Sequence, residues 1–482
     1  MPSAPPDQIK QTVADPRLQL AIYTATGRLM HHRADSVRAD LLPEYQELRA
    51  RANELKRHAI ENLDYYLEQF EANVKARGGR VVFCQDATEV ADFVLGLAKD
   101  RGAGLIVKSK SMTTEEIDLN ERLEHHQLES VETDLGEYIL QLAHERPYHI
   151  VAPALHKTRY EVADIFTERL GVQNEVVIEK QTKIARLVLR EKFLAADIGI
   201  TGANFLVADS GAVVLVGNEG NARLTTSAPE IHVAVAGIEK VIPRAQDLAV
   251  FLKLLGRSAT GQALSVYTSF LAGPRRSGEI DGPGEFYVVL LDNGRSKLLR
   301  DPDKRQSLFC IRCGACLNHC PVYRKIGGHN YPWIYSGPIG AIITPQFHGV
   351  EQDSWLPFAS SLCGACAEVC PVKIDIPKIL LELRAEVVTA KTEKHQNRAE
   401  RMAFRTWAWV MRHPRVYERL ASLAARMAPM PERNGWIRHL PSFMSIGPLA
   451  NWISQRDLPP PAPRSFRELW AERESSRQDH QP

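Results

Sequence analysis

Seven of the eight cysteines in this 482-residue sequence fall between positions 310 and 370, and only Cys84 lies outside that stretch. A disulfide framework would spread its pairs through a secreted chain to staple it, so crowding of this kind reads as metal ligation. The spacing Cys310-x2-Cys313-x2-Cys316-x3-Cys320-Pro321 lets one tight loop offer three thiolates to a face of an iron-sulfur cubane, while the fourth points toward a second cluster. The motif returns as Cys363-x2-Cys366-x3-Cys370-Pro371. A crossed arrangement assigns Cys310, Cys313, Cys316 and Cys370 to cluster one, and Cys320, Cys363 and Cys366 to cluster two.

Cluster two is then one thiolate short, because Ser360 stands where the missing cysteine belongs. Two readings stay open: a 3Fe-4S centre, or a 4Fe-4S centre completed by Ser360, His348, His319 or water. Paired zinc sites also use Cys-x2-Cys units, but seven thiols do not divide into fours, and zinc has little need of a third thiolate at the same spacing followed by Cys-Pro. Pro321 and Pro371 turn the chain away from the metal and withhold an N–H. Gly314, Ala315, Gly364 and Ala365 let the backbone approach closely and offer N–H groups to sulfur.

These loops need elements to hold them. Residues 1–40 read as a loosely ordered arm, followed by one long amphipathic helix with Leu48, Ala52, Leu55, Ala59, Leu63, Leu67, Phe70 and Val74 at helical spacing and Gly78-Gly79 at its end. From Arg80 to about Arg300 apolar runs at 81–83, 105–107, 149–151, 198–200, 213–216 and 233–235 alternate with helical stretches near 87–100 and 113–124. That alternation predicts an α/β domain with a mostly parallel sheet. Asp209-Ser210-Gly211 reads as a hairpin turn, which makes the expected sheet mixed. The Gly/Pro-rich stretch 273–284 reads as a loop. Beyond Cys370, Ile379, Leu380, Leu383 and Val387 share one face of a helix expected over 374–388. All seven tryptophans lie beyond residue 332, and Arg becomes frequent after residue 391. The expected parts are 1–79 (arm and long helix), 80–300 (α/β domain), 301–390 (helical two-cluster ferredoxin-type domain) and 391–482 (Arg/Trp-rich helical region with a polar tail).

The net charge is only +2, which argues against a nucleic-acid partner. The N-terminal residues resemble no secretory signal, and no apolar run is long enough to span a bilayer, so a cytoplasmic location is expected, with any membrane association made through partners. No Gly-x-Gly-x-x-Gly fingerprint opens a helix, so bound NAD or flavin is not expected.

The two cysteine fingerprints, together with Lys108-Ser-Lys-Ser-Met112, Gly202-Ala-Asn-Phe205 and the run from Asp209 to Asn221, resemble the lactate utilisation protein B family of bacteria, over roughly residues 40–440. The resemblance implies that the α/β part is a lactate-utilisation domain, with a sheet like those of sugar isomerases and CoA transferases. It implies two 4Fe-4S clusters, and a role in oxidising L-lactate to pyruvate for growth on lactate. It also implies two partners: a second cysteine-rich iron-sulfur protein and a smaller protein with a related α/β domain.

Other residues suggest a ligand site. Lys108, Ser109, Lys110 and Ser111 follow a strand, where α/β sheets place carboxylates or phosphates, although a solvated loop is as ordinary. The loop Asn218-Glu219-Gly220-Asn221-Ala222-Arg223 suits a hydroxy acid, with Arg223 on its carboxylate and Glu219 or a nearby histidine taking a proton; turn chemistry explains the loop as well. A catalytic subunit that oxidises the hydroxy acid in its own α/β domain, or a redox sensor, are the alternatives to an electron carrier. His232 reads as a satisfied core residue and Cys84 as a small buried hydrophobe. Trp407, Trp409 and Trp436, with their neighbouring arginines, suit a partner surface or a cover for the clusters.

Overall fold

A computed structural model describes residues 6–395, 398–427, 435–438, 456–462 and 464–478. The chain forms two compact units, Met1–Ala390 and Lys391–Pro482.

Ten strands lie in the first unit: β1 (Arg80–Cys84), β2 (Leu105–Lys108), β3 (Glu129–Glu132), β4 (Ile198–Thr201), β5 (Phe205–Val207), β6 (Ala212–Gly217), β7 (Ile231–Gly237), β8 (Val241–Ile242), β9 (Tyr267–Leu271) and β10 (Glu285–Leu291). Six of them pair in the order β1-β10-β7-β4-β2-β3, and every pairing is parallel. Strands covered on both faces need apolar residues throughout, and β7 is buried along its whole length. The expected mixed sheet is therefore two sheets. The antiparallel hairpin β5–β6 belongs to a separate one, ordered β8-β5-β6-β9. Gly211 closes that hairpin at φ +66°, where a Cβ would fall 2.6 Å from the Val74 nitrogen.

Several expectations need correction. Residues 6–36 are not a loose arm but two helices, Pro6–Ala14 and Pro16–Ser36; the Asp15 carboxylate accepts the N–H groups of Arg17 and Leu18, and Pro16 opens the second helix. The long helix is two, Tyr45–Glu61 and Leu63–Ala76, broken at Asn62, whose amide donates back to the His58 carbonyl. The helix expected over 113–124 likewise splits, at Asp118, which adopts φ +50°. No strand forms at 149–151, because the His149 ring accepts the backbone N–H groups of Val151 and Ala152 and so competes with sheet pairing. The alternation also omitted β10, a central strand. The helix after Cys370 spans Ile376–Glu393 and buries Ile379, Leu380, Leu383 and Val387.

One hydrophobic cluster runs from the helix Tyr45–Glu61, through Phe205, Val214 and Phe251, to Cys313, Cys320, Ile379 and Leu383. The cysteine loops are thus part of the first unit's interior. In the second unit the helices Arg398–Arg412 and Pro414–Met427 leave Trp407 and Trp409 exposed. Trp436 is also exposed, and no helix among the described residues is long and apolar enough to cross a membrane.

Candidate functional site

The two cysteine loops are built alike. Arg312 and Leu362, each just before a cysteine, take up left-handed backbone at φ +60° and +53°, and Gly314 and Gly364 then open the short helices Ala315–His319 and Ala365–Val369. Backbone N–H groups point at sulfur: Arg312 at Cys310, Tyr323 at Cys320 and Ile374 at Cys370, each 3.4 Å away. Such donors favour thiolate over thiol.

The sulfurs fall into two electrostatic groups. Cys313 and Cys316 feel Cys310 and Cys370, whereas Cys320 feels Cys363, and Cys366 feels Cys320 and Cys363. The influence of Cys366 on Cys316 links the groups. As free thiols most are disfavoured as anions: burial pushes Cys313 and Cys366 up to about 12 and Cys370 up to about 11. Cys363 is exposed, and its thiol is lowered by the Ala365 N–H and the Ser361 hydroxyl.

Two observations fit a polynuclear, anionic centre. Tetrahedral zinc would draw its thiolates to about 3.8 Å from one another. Among the described residues, no three thiols have sulfurs within 4.8 Å of one another. Moreover, buried guanidinium nitrogens beside the thiols have no partner: Nε and Nη1 of Arg312, and Nε of Arg33. A cluster carrying net negative charge would compensate them.

Sequence reasoning missed the groups that the N-terminal helices supply. Arg49 donates to the carbonyls of Ala367 (3.2 Å), Glu368 (2.7 Å) and Cys370 (3.0 Å), capping the short helix between Cys366 and Cys370. Arg33 donates to the Val369 carbonyl and the Tyr45 hydroxyl. Lys56 donates to the Glu239 carbonyl (2.5 Å), and burial lowers its ammonium to about 7. Their signal was an arginine and a lysine on the face that also carries Ala52 and Leu55.

Of the residues considered as a fourth ligand, Ser360 accepts the Leu362 N–H through Oγ, and the His319 ring bonds the Ala315 carbonyl. His348 instead pairs with Asp353 at 2.9 Å and lines a cleft with Glu116, Asn293 and Trp333.

At the C-terminal edge of the parallel sheet lies a cavity of about 410 Å³. Ser109, Lys110 and Ser111 after β2, Gly202 and Asn204 after β4, Glu219 after β6 and Lys240 after β7 line it, and Ile311 and Arg312 of the cysteine loop complete the wall. Lys108 is not a ligand group there: it is fully buried and bonds Glu115 (2.8 Å), Glu132 (2.6 Å) and Thr114 (2.9 Å). Burial opposes its charge, but the two carboxylates outweigh that and raise its pKa. The carboxyl of Glu219 is raised by burial and by Asp134. Arg223 does not join it; exposed, Arg223 lines another cleft, with Tyr267, Pro274 and Arg275. His232 bonds Thr201 at 2.9 Å inside the sheet, and Cys84 is buried at the end of β1.

Comparison with known proteins places this arrangement. Lactate utilization protein B of Bacillus licheniformis is 46% identical over 455 residues, which covers 94% of this chain and 93% of that protein. The chain belongs to the lactate utilisation protein B family. The relatives of that name in Bacillus thuringiensis and Bacillus anthracis are 44% identical over 465 residues, or 96% of each chain. Family models match in three places: the LUD domain at residues 67–291, the 4Fe-4S dicluster domain at 306–374, and the C-terminal region of lactate utilisation protein B at 382–475. The parallel sheet and its cavity edge thus belong to the LUD domain, and both cysteine loops lie within the dicluster match. A role in lactate utilisation follows for this family member.

Proposed function

We propose that the chain is the iron-sulfur electron-transfer subunit of a complex that oxidises L-lactate to pyruvate and so allows growth on lactate. The observation that carries this reading is the position of Arg312: it lies between Cys310 and Cys313, and it also walls the cavity at the sheet edge. Cys310, Cys313, Cys316 and Cys370 would hold one 4Fe-4S cluster, and Cys320, Cys363 and Cys366 would hold the second, with a non-cysteine group or a 3Fe-4S core making up its fourth position. Such clusters supply one-electron transfer. Lactate oxidation releases two electrons, so two centres in series suit the task. Buried Arg312, Lys56 and Lys240 offset the negative charge of the inner thiolate group, while backbone N–H groups orient the sulfurs. Exposed Cys363 puts the other group within reach of a partner. The partners proposed are a second cysteine-rich iron-sulfur protein and a smaller protein with a related α/β domain.

Iron and sulfide analysis with low-temperature EPR on anaerobically purified protein tests the centres: about eight irons per chain are expected for two cubanes, and about seven for a trinuclear second centre. A colourless protein with stoichiometric zinc overturns the reading.

A second reading is favoured by the cavity itself, where Lys110, Lys240 and Arg312 present positive charge opposite Glu219. In this reading the hydroxy acid binds in the LUD domain of this chain. Glu219→Gln then abolishes lactate-dependent reduction while iron content stays unchanged; a pure carrier loses little.

A further inference from the structure

A second set of metal-ligating side chains lies outside the cysteine loops. Glu145, His156 and His329 each present a ligand atom, and these atoms lie within 4.8 Å of one another. Glu145 follows the helix Leu135–Ala143, His156 precedes the helix Arg159–Leu170, and His329 follows the Gly327-Gly328 turn of the cysteine-rich region. Backbone contact fixes this meeting of segments: a Cβ on Gly328 would fall 1.8 Å from the Tyr148 carbonyl oxygen. The Tyr148 ring packs on both histidines, with centroids 4.6 Å from His156 and 4.7 Å from His329.

The rings are oriented as ligands. His329 Nε2 lies 2.7 Å from the Arg146 carbonyl, which only accepts, so Nε2 carries the hydrogen and Nδ1 keeps its lone pair. An imidazole N–H held by a backbone carbonyl is the usual support of a metal-bound histidine. His156 Nε2 lies 2.8 Å from Glu145 Oε2, while its Nδ1 is buried with no partner and its side chain is only 8% exposed. A carboxylate only accepts, so in the metal-free chain Nε2 carries the hydrogen, and a cation entering between Nε2 and the carboxylate shifts it to the unpartnered Nδ1. Lys157 holds the other carboxylate oxygen, Oε1, and leaves Oε2 facing the imidazole.

We propose that Glu145, His156 and His329 bind a first-row divalent cation, zinc by preference, that joins the LUD domain to the cysteine-rich region. Two neutral imidazoles and one carboxylate form a zinc donor set with a fourth position left open. Insertion asks the 2.8 Å contact between Glu145 and His156 to widen to about 3.3 Å, the spacing of two ligands on one tetrahedral ion.

The test uses the untagged full-length chain, purified without oxygen so that the cysteine loops keep their metal. It is incubated with zinc sulfate, dialysed, and assayed for zinc and iron, with X-ray absorption at the zinc edge. About one zinc per chain with only nitrogen and oxygen neighbours is expected. His156→Gln and His329→Gln should each weaken retention at least about tenfold at unchanged iron and sulfide. Should both variants lose iron through misfolding, Glu145→Gln decides by the same readout. Failure to retain zinc, zinc with sulfur neighbours, or retention unchanged in the variants overturns the site.

Discussion

The guanidinium of Arg295 meets the carboxylate of Glu116 in a fully buried, bidentate pair, with Nη1–Oε1 at 2.8 Å and Nη2–Oε2 at 2.7 Å. Tyr335 and Asn293 donate to the same carboxylate, and Arg295 Nε reaches Glu239 at 2.5 Å. The pair joins the helix after β2 to the helix after β10, and Tyr335 ties both to the cysteine-rich region. Removing one partner of a buried pair leaves an uncompensated charge. Glu116→Gln should therefore destabilise the first unit by about 3 kcal/mol, read as a lower urea midpoint at unchanged slope.

Arg49 holds three carbonyls at the end of the helix that carries Cys366 and leads into Cys370. Hydrogen bonds from a charged donor contribute about 1.5–3 kcal/mol each. Arg49→Met should loosen that helix and speed iron loss to a chelator severalfold, measured as bleaching at neutral pH.

Crossed ligation makes an asymmetric forecast. Cys370→Ser, although in the second motif, should remove the EPR signal of the inner centre; Cys320→Ser, although in the first, should remove that of the outer. A variant that instead lost the signal of its own motif would show uncrossed ligation.

His232 supplies a pH dependence. Burial holds its imidazole down to about 3, whereas an unfolded histidine titrates near 6.5. Between those values the unfolded chain binds a proton that the folded chain refuses, so stability is full above about pH 6.5 and falls as pH drops toward 3. From pH 7 to 5 the loss from this residue is about 2 kcal/mol. His232→Gln should flatten the acid slope of the unfolding free energy without abolishing it, because His149 and His156 are also held low by burial.

Much of this was legible in the chain. The apolar runs at 105–107, 198–200 and 233–235 are largely buried within the sheet, and they and the edge run at 81–83, where Phe83 stays exposed, each became a parallel strand. The run at 149–151 looks the same by composition, but the His149 ring captures its neighbours' N–H groups, an interaction that hydrophobic periodicity does not encode. Lys108 read as a ligand group because its position after a strand is right. Its two carboxylate partners, Glu115 and Glu132, come from a helix and a strand that only the fold brings together. For the same reason the apolar-face position of Arg49 and Lys56 did not reveal their targets: these residues and Arg33 bond carbonyls more than 180 positions away.

Of the seven thiols in the cysteine loops, only Cys363 is exposed, while those of Cys313, Cys320, Cys366 and Cys370 are buried. With the proposed clusters in these loops, attack by dioxygen should therefore begin at the group that contains Cys363. Samples handled in air would shed metal from the outer group while the inner group keeps its own, and mixed spectra from such samples would record graded damage within each molecule, not two populations of fold.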